Sequence, residues 1–462
     1  MKITDKKKLA ADIFYAAIRA VDPYSSVELY SDRIRSAYHS DNFNRLFVIG
    51  FGKAVCPMVK AIEDNVADLI SKGVAITKYG HGIEQQSSRA AVNKEKNISY
   101  SEATGLLRYC STALKILEAG HPVPDENGLR GSEEIIRLLK SADEKTLVVC
   151  LVSGGGSALL VSPHEGITLA EKQLVTKLLL NAGADINELN TVRKHISNVK
   201  GGRLAEIAYP ARIISLILSD VIGDRLDVIA SGPTSPDMTT YSHALRVLEK
   251  YDLIGCTPKN ILNVLKRGLD GLLPETPKAG NTIFENVENI IIGSSRIALD
   301  AAKQKAEEMG FQTEILSSEL TGEAKDIGKW LAEKAKEIKG SRIREVKWPR
   351  CLISGGETTV KVKGDGLGGR NMELALAFAM EIKGIDGITF LSAGTDGTDG
   401  PTDAAGAIVD GGTVKKAKKL GLDPEEYLNN NDSYNFFKKI DGLFITGPTG
   451  TNVMDIQIVV IE

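Results

Sequence analysis

The chain has 462 residues, with 57 lysine and arginine residues against 60 aspartate and glutamate residues, which leaves a formal net charge of −3. A chain of this length can bury large cores and is expected to form two domains. The near balance of charge argues against nucleic acid or an anionic membrane as a partner. The expected partner is therefore a small molecule.

The cysteines and the first residues favour a cytoplasmic protein. The first twenty residues are basic and then mildly amphipathic, which predicts a first helix rather than a signal peptide. No apolar run is long enough to span a bilayer. The oligomeric state stays open, with a homodimer among the options. The cysteines lie far apart without metal-ligand spacing, as is typical of reduced packing residues: Cys56, Cys110, Cys150, Cys256 and Cys351.

Apolar runs suited to buried strands recur along the chain, and segments of helical period lie between many of them. This alternation predicts an α/β fold with parallel β-α-β packing. A polar stretch with Pro274, Pro277 and Gly280 marks the expected domain boundary. Residues 83–102 have little apolar periodicity and are interpreted as a surface insertion. The predicted strands are residues 46–50, 74–77, 146–152, 213–219, 290–293, 351–354, 388–393, 443–446 and 456–461.

The first chemical signal is a glycine turn followed by a lysine. Residues 48–54 (VIGFGKA) predict a strand, a two-glycine turn and a helix whose first turn carries Lys53. Such a lysine can meet a phosphoryl group, and a surface lysine beside a tight turn is an equally good interpretation. No P-loop motif occurs in the sequence.

A stronger anion signal follows the strand at residues 146–152, where three glycines stand between two serines. Glycine lets backbone N–H groups approach an anion closely, and a tight turn alone needs only one glycine. Downstream, Arg193 and Lys200 are the candidates for binding a carboxylate or phosphate. His195 is interpreted as structural. The loop consists of Ser153, Gly154, Gly155, Gly156 and Ser157.

Asp220 directly follows the predicted strand at residues 213–219. The end of a buried strand is a good place for a catalytic base or a metal ligand. Asp224 and Asp227, in contrast, are interpreted as ordinary loop acids.

A match to G-x-G-x-x-G at Gly364, Gly366 and Gly369 raises the question of a dinucleotide. The preceding residues 358–363 alternate polar and apolar, whereas a dinucleotide fold requires a buried first strand. The match is therefore weak. Arg370 is better explained as a fixed guanidinium that reaches phosphate oxygens.

An acid-rich loop at residues 392–400 (SAGTDGTDG) favours nucleotide or magnesium binding, with a structural cluster of Asx turns as the competitor. Asp396 and Asp399 are the candidate ligands of Mg²⁺. The candidate nucleotide-binding residues are Gly368, Gly369, Asn371, Gly394, Thr395 and Asp396.

These segments resemble the glycerate 2-kinase family, often called MOFRL, over nearly the whole chain. The motifs are GFGKA at 50–54, EAGHPVPDE at 118–126, VSGGGSALL at 152–160, LNTVRKHIS at 189–197, KGGRLA at 200–205, LSDVIGD at 218–224, SGPTSPD at 231–237, SGGETTV at 354–360, GGRNMELAL at 368–376, AGTDGTDGPTDAAGA at 393–407 and GPTGTNVMD at 447–455.

The resemblance implies transfer of phosphate from ATP, with Mg²⁺, to the 2-hydroxyl of D-glycerate. It implies a Rossmann-like N-terminal domain with a mostly parallel sheet at residues 1–275, a second α/β domain at residues 276–462, and an active site in the interdomain cleft. It also implies an active centre of Lys53, Asp220 and Arg370. The stretch at residues 83–111 departs from the family pattern by its length.

Two other classes of function remain as alternatives. The first is an NAD(P)H-dependent hydroxypyruvate reductase, which the weak glycine match alone supports. The second is a regulator that binds a sugar acid or a nucleotide without catalysis, which no basic patch or DNA-binding helix pair favours.

Overall fold

The computed structural model describes residues 3–82, 106–108, 113–340 and 349–462, with the backbone alone for residues 3–5 and 106–108. The stretch at residues 83–111 thus lies outside the described residues, apart from one short strand. The strands are β1 (Arg45–Phe51), β2 (Ile70–Lys78), β3 (Leu106–Arg108), β4 (Leu114–Ala119), β5 (Thr146–Val152), β6 (Arg212–Leu218), β7 (Val287–Gly293), β8 (Gln312–Leu320), β9 (Arg350–Gly356), β10 (Ile388–Gly394), β11 (Gly406–Asp410), β12 (Leu443–Phe444) and β13 (Asp455–Ile461).

The helices are equally spread along the chain, and none of those described is long and apolar enough to cross a membrane. They are α1 (Ile3–Ala20), α2 (Pro23–Glu28), α3 (Ser31–Ser40), α4 (Val55–Val66), α5 (Glu126–Leu139), α6 (Gly156–Leu159), α7 (Leu169–Asn181), α8 (Ile186–His195), α9 (Arg203–Ala208), α10 (Tyr241–Lys250), α11 (Lys259–Leu269), α12 (Ser295–Glu308), α13 (Ala324–Gly340), α14 (Arg370–Glu381), α15 (Thr413–Lys419), α16 (Pro424–Asn429) and α17 (Ser433–Lys439).

The chain divides into two compact units, each with its own sheet. Residues 23–218 and 224–292 form the seven-stranded unit, and residues 1–22, 219–223 and 293–462 form the six-stranded unit. This division differs from a boundary at residue 275, because Pro274 and Pro277 accept hydrogen bonds from Arg203 and Asp237 inside the seven-stranded unit. Helix α1 belongs to the six-stranded unit because Ala10, Ile13, Phe14 and Ala17 are buried and the helix packs on α12, β10 and β13.

The sheet of the seven-stranded unit has the Rossmann-like character that the sequence predicts. Its described strands run in the order β3-β4-β2-β1-β5-β6-β7, and the pairs β4/β2, β2/β1, β1/β5 and β5/β6 are parallel. Strands β1 and β5 are almost wholly buried, as expected for strands covered on both faces. Strand β1 pairs with β2 on one side and with β5 on the other. The order in which successive strands are added to the sheet therefore reverses at β1. Ligands in such sheets bind at this reversal, beyond the carboxyl ends of the strands.

The sheet of the six-stranded unit is mixed, so the prediction of parallel packing is wrong for it. Its described strands run in the order β12-β11-β10-β13-β9-β8, and β13 is antiparallel to both β9 and β10. Strands β9 and β10 therefore run in the same direction, joined through α14, with the last strand inserted between them. The nearly apolar α14 is buried, and its Phe378 stacks on Phe390 of β10 with ring centroids 4.0 Å apart.

Most predicted strands exist, and the differences have physical causes. Residues 443–446 form only the two-residue strand β12. Four further strands, β3, β4, β8 and β11, are not among the predicted ones. Strands β3 and β11 have only three and five residues, and polar residues interrupt β4 (LKILEA) and β8 (QTEILSSEL).

Candidate active site

The turn that carries Lys53 is fixed by the neighbouring strand of the seven-stranded unit. The backbone N–H of Lys53 donates to the carbonyl of Gly154 at 2.9 Å, and the N–H of Ala54 donates to Ser153 Oγ at 3.1 Å. Gly52 has φ +139°, and a side chain there would collide with the backbone of Ser153. The structure thus joins the β1 turn and the Ser153–Ser157 loop at the reversal point of the sheet.

Two histidines that the sequence analysis did not select lie against this turn. His81 Nδ1–H donates to the carbonyl of Lys53 at 3.1 Å, and the ring of His121 lies against the Cα of Gly155. Burial, with the charges of Lys53 and Lys78, lowers the pKa of His121 to about 4, so His121 is neutral at pH 7. His121 lies in the motif EAGHPVPDE at residues 118–126, which begins at the end of β4 and to which no role was assigned from the sequence.

The Ser153–Ser157 loop is tied to the segment after β6. The hydroxyls of Ser157 and Ser231 lie 2.7 Å apart, and the Ser231 hydroxyl donates to Asn190 Oδ1 at 2.9 Å. Gly155 has φ +82° and precedes the short helix α6. A glycine at this position avoids the strain that a side chain would cause.

The two cations predicted to bind an anion take different positions in this unit. Lys200 is fully buried, and its Nζ donates to the carbonyls of Ser157 at 3.0 Å and Ala230 at 3.3 Å. Arg193 is half-buried, and burial lowers its pKa to about 10. Burial, with the charges of Lys172 and Arg193, lowers the pKa of Lys200 well below its usual value. Within the described chain, neither Lys200 nor Arg193 forms an ion pair with a carboxylate.

His195 is structural, as predicted. It is buried, its Nδ1–H donates to the carbonyl of Thr191 at 2.8 Å, and its Nε2 lies 3.2 Å from Glu275 Oε2. Both ring nitrogens are therefore engaged inside the unit.

Asp220 lies two residues after the end of β6, in the short segment that groups with the six-stranded unit. The backbone N–H of Ser219 beside it donates to the carbonyl of Gly293 at 2.8 Å, and Asp220 itself is half-buried. Its position after a buried strand agrees with the one expected, and its role stays a prediction.

Arg370 begins α14 in the six-stranded unit, and two carboxylates hold it. Its Nε and Nη2 donate to the two oxygens of Asp455 at 2.6 and 3.0 Å, and its Nη1 donates to Glu357 at 2.6 Å. Burial alone would lower the pKa of Arg370, but the hydrogen bonds to Asp455 and the charges of both acids raise it. The guanidinium is fixed in orientation, and its positive charge is largely compensated.

The backbone around Gly364 and Gly366 is bound by the chain itself. Asn431 Oδ1 accepts from the N–H groups of Lys363 and Gly364 at 2.7 and 3.1 Å, and the N–H of Gly366 donates to the carbonyl of Asn430 at 3.1 Å. Residues 360–369 form no strand. The dinucleotide interpretation therefore loses its structural basis.

Asp399 caps α14. Its two oxygens accept from the backbone N–H groups of Asn371 at 3.1 Å and Met372 at 2.8 Å. Burial raises the pKa of Asp399 to about 7, although those two N–H groups oppose the shift. Asn371 is also used internally, because its Oδ1 accepts from the hydroxyl of Ser392 at 2.7 Å.

The loop after β10 brings Gly394, Thr395 and Asp396 together through internal hydrogen bonds. The N–H of Gly394 donates to the carbonyl of Ala405 at 2.8 Å, and the buried Thr395 hydroxyl donates to the carbonyl of Met454 at 2.6 Å. Asp396 Oδ1 accepts from the N–H and hydroxyl of Thr398, both at 3.0 Å. This is the Asx-turn arrangement that the sequence analysis weighed as the competitor.

The predicted magnesium ligands do not form a metal cage. Both oxygens of Asp399 are occupied by backbone donors, and Asp396 is engaged in its own turn. Among the residues that the structure describes, no group of three or more His, Cys, Asp or Glu side chains could hold a metal ion. Kinase sites commonly hold Mg²⁺ through one or two carboxylates and the substrate phosphates, so Asp396 and Asp399 stay predicted ligands of the ion.

Comparison with known proteins agrees with the resemblance seen in the motifs. A family model described as a domain of unknown function, DUF4147, matches residues 9–266, and the model of the MOFRL family matches residues 350–455. The D-glycerate 2-kinase of Thermotoga maritima is 46% identical over 98% of this chain and 97% of its own. The chain belongs to the glycerate 2-kinase family.

Other members of the family extend the agreement to the structure. The glycerate 2-kinase of Pyrococcus horikoshii is 42% identical over 99% of this chain and 98% of its own. The crystal structure of a glycerate kinase from Thermotoga maritima matches with a TM-score of 0.86 and 45% identity, covering 99% of this chain and 100% of that chain. The α/β fold class is thereby confirmed.

Proposed function

We propose that this chain transfers the γ-phosphate of ATP to the 2-hydroxyl of D-glycerate, giving 2-phosphoglycerate and ADP. The observation that carries the proposal is the 46% identity to a D-glycerate 2-kinase over nearly the full length of both chains. Arg193 and Lys200, which form no ion pair with a carboxylate among the described residues, suit two substrates that are both anions.

Lys53 and the Ser153–Ser157 loop would stabilise the phosphoryl group in the transition state of its transfer. Phosphoryl transfer depends on positioning and on compensating the charge of the transferred group, more than on covalent chemistry by the protein. The hydrogen bonds that join Lys53 and Ala54 to Gly154 and Ser153 hold these donors in place before the substrate arrives. Arg193 and Lys200 would bind an anionic group of a substrate.

Asp220 and the six-stranded unit complete the proposal. Asp220 would orient the substrate hydroxyl or accept its proton. Arg370 would use its remaining N–H groups on a phosphate, with its direction set by Asp455 and Glu357. The nucleotide would bind to the segments that contain Gly368, Gly369, Asn371, Gly394, Thr395 and Asp396.

Mg²⁺ belongs to this proposal only as a companion of the nucleotide phosphates. Kinases commonly hold Mg²⁺ through substrate phosphates and few protein ligands. Because the described residues contain no group of three or more ligating side chains, the ion would depend mainly on the nucleotide phosphates, with Asp396 and Asp399 as its proposed protein ligands. The same proposal places the enzyme in the cytoplasm, since its scattered cysteines are typical of reduced thiols.

The test is ADP release with D-glycerate, followed by phosphorus NMR of the product against authentic 2- and 3-phosphoglycerate. We expect glycerate-dependent ADP release and the 2-phosphate alone. Formation of the 3-phosphate, or no ADP release, would contradict the proposal. Incubation with hydroxypyruvate and NADH or NADPH is the control for the reductase alternative, and we expect no loss of reduced cofactor.

A further inference from the structure

A third buried cation lies beside Arg193 and Lys200, and the motifs did not single it out. Lys172, in the first turn of α7, is only 4% exposed. Its Nζ is inaccessible to solvent and has no hydrogen-bond partner among the described residues. An unpaired buried ammonium group is costly, and the cost is avoided either by a partner of opposite charge or by loss of the proton.

The three cations form one cluster. Helix α7 packs on α8, which carries Arg193, and the charges of Arg193 and Lys172 both act on Lys200. Among the described residues, no carboxylate contributes to the pKa shifts of Lys172, Arg193 or Lys200. The neighbouring Glu171 is occupied elsewhere, because it closes the capping box with Thr168 and accepts from Asn260.

A neutral donor belongs to the same region. Asn190 stands three residues before Arg193, on the same face of α8. Its Oδ1 accepts from Ser231, and its buried Nδ2 has no partner in the described chain. Two buried donors without acceptors, Lys172 Nζ and Asn190 Nδ2, thus accompany a half-buried guanidinium. This combination is expected of an anion subsite that is completed by its ligand.

We propose that Lys172, with Arg193 and Lys200, binds the carboxylate of the acid acceptor. The choice of ligand rests on the proposed function. The depth of Lys172 and Lys200 favours a compact, singly charged group over a triphosphate. Burial and the charge of Arg193 lower the pKa of Lys172 to about 7, so the cluster carries less than its full charge in the free protein at neutral pH.

The experiment measures D-glycerate binding by titration calorimetry to the wild type, to Lys172→Met and to Lys177→Met. Lys177 lies on the same helix and is exposed, so its variant is the matched control. We expect Lys172→Met to weaken glycerate binding about tenfold or more, as for loss of a hydrogen bond to a charged group. The KM for ATP should not change, and Lys177→Met should behave as the wild type.

Two further readouts separate binding from a structural role. Removing an unpaired buried cation should raise the melting temperature of the free protein, whereas loss of a structural contact would lower it. At pH 8 Lys172 is mostly deprotonated in the free protein, so glycerate should draw a proton to it. Calorimetry in two buffers of different ionisation enthalpy should show proton uptake in the wild type and less in Lys172→Met.

The outcomes distinguish this inference from the function on which it rests. A wild type that binds no glycerate contradicts both. A wild type that binds glycerate, with Lys172→Met binding it equally well, contradicts this inference alone. If Lys172→Met weakens ATP instead of glycerate, the cluster belongs to the nucleotide and the carboxylate assignment is wrong.

Discussion

Arg370 shows what a single residue can and cannot reveal in the sequence. The glycines before it and the helix after it predicted a guanidinium held in place. What holds it is Asp455 at the start of β13, 85 positions further along the chain and 1% exposed. Only the tertiary fold brings the two together, and it gives Arg370 a structural task in addition to the one proposed in catalysis.

Arg370→Ala should therefore destabilise the protein as well as reduce turnover. It leaves a buried carboxylate unpaired, which typically costs about 3–5 kcal/mol, and we expect about 2–3 kcal/mol because Arg370 is itself one-third exposed. The double variant Arg370→Met/Asp455→Leu should recover most of the loss in urea denaturation.

Arg296→Ala is the matched control, because Arg296 forms an exposed ion pair with Asp300 in the same unit. It should cost no more than about 1 kcal/mol. If Arg370→Ala were as stable as the wild type, the ion pair between Arg370 and Asp455 would not contribute to stability.

At the scale of elements, the start of a helix explains why a predicted ligand is already hydrogen-bonded within the protein. The backbone donors at the start of α14 are met by Asp399, a residue of the loop after β10. The acid-rich loop is thus linked to the glycine-rich segment before α14. Acidity and glycine content predicted that these two segments matter, but not that one would cap the other.

We expect Asp399→Ala to lower the free energy of unfolding by about 1–3 kcal/mol, since it removes a cap and leaves buried N–H groups unsatisfied. Asp423→Ala is the control, because Asp423 caps the exposed start of α16 through the N–H of Glu425. It should cost less in the same urea titration. Equal losses in the two variants would contradict the importance of burial at Asp399.

At the scale of the whole molecule, the first helix belongs with the last residues of the chain. Phe14 of α1 is fully buried and meets Phe444 of β12 edge to face, with ring centroids 5.2 Å apart. The hydroxyl of Thr451 donates to the carbonyl of Val21 at 2.8 Å. The six-stranded unit is therefore complete only when both chain ends are present.

Phe14→Ala should cost about 3–5 kcal/mol, the usual range for a buried phenylalanine. Hydrogen exchange followed by mass spectrometry should show faster exchange in peptides of β10, β12 and β13, with the seven-stranded unit still protected. Lys8→Ala, at an exposed position of α1, should exchange as the wild type. Faster exchange spread evenly over both units would show that they unfold as one.

The sequence by itself determined the α/β class, most strands, the family, and the loops at Lys53 and Ser153. These depend on local patterns: apolar runs, glycines at strand ends, and motifs of adjacent residues. Only the tertiary structure decided the mixed strand directions of the second sheet, the unit to which α1 belongs, and the partners of Arg370 and Asp399. It also decided that His121 lies beside Gly155 and that Lys172 lies near Arg193 and Lys200. Each of these depends on contacts between residues far apart in the chain. Burial and pairing in those contacts set the charges of the side chains, and no local sequence pattern contains that information.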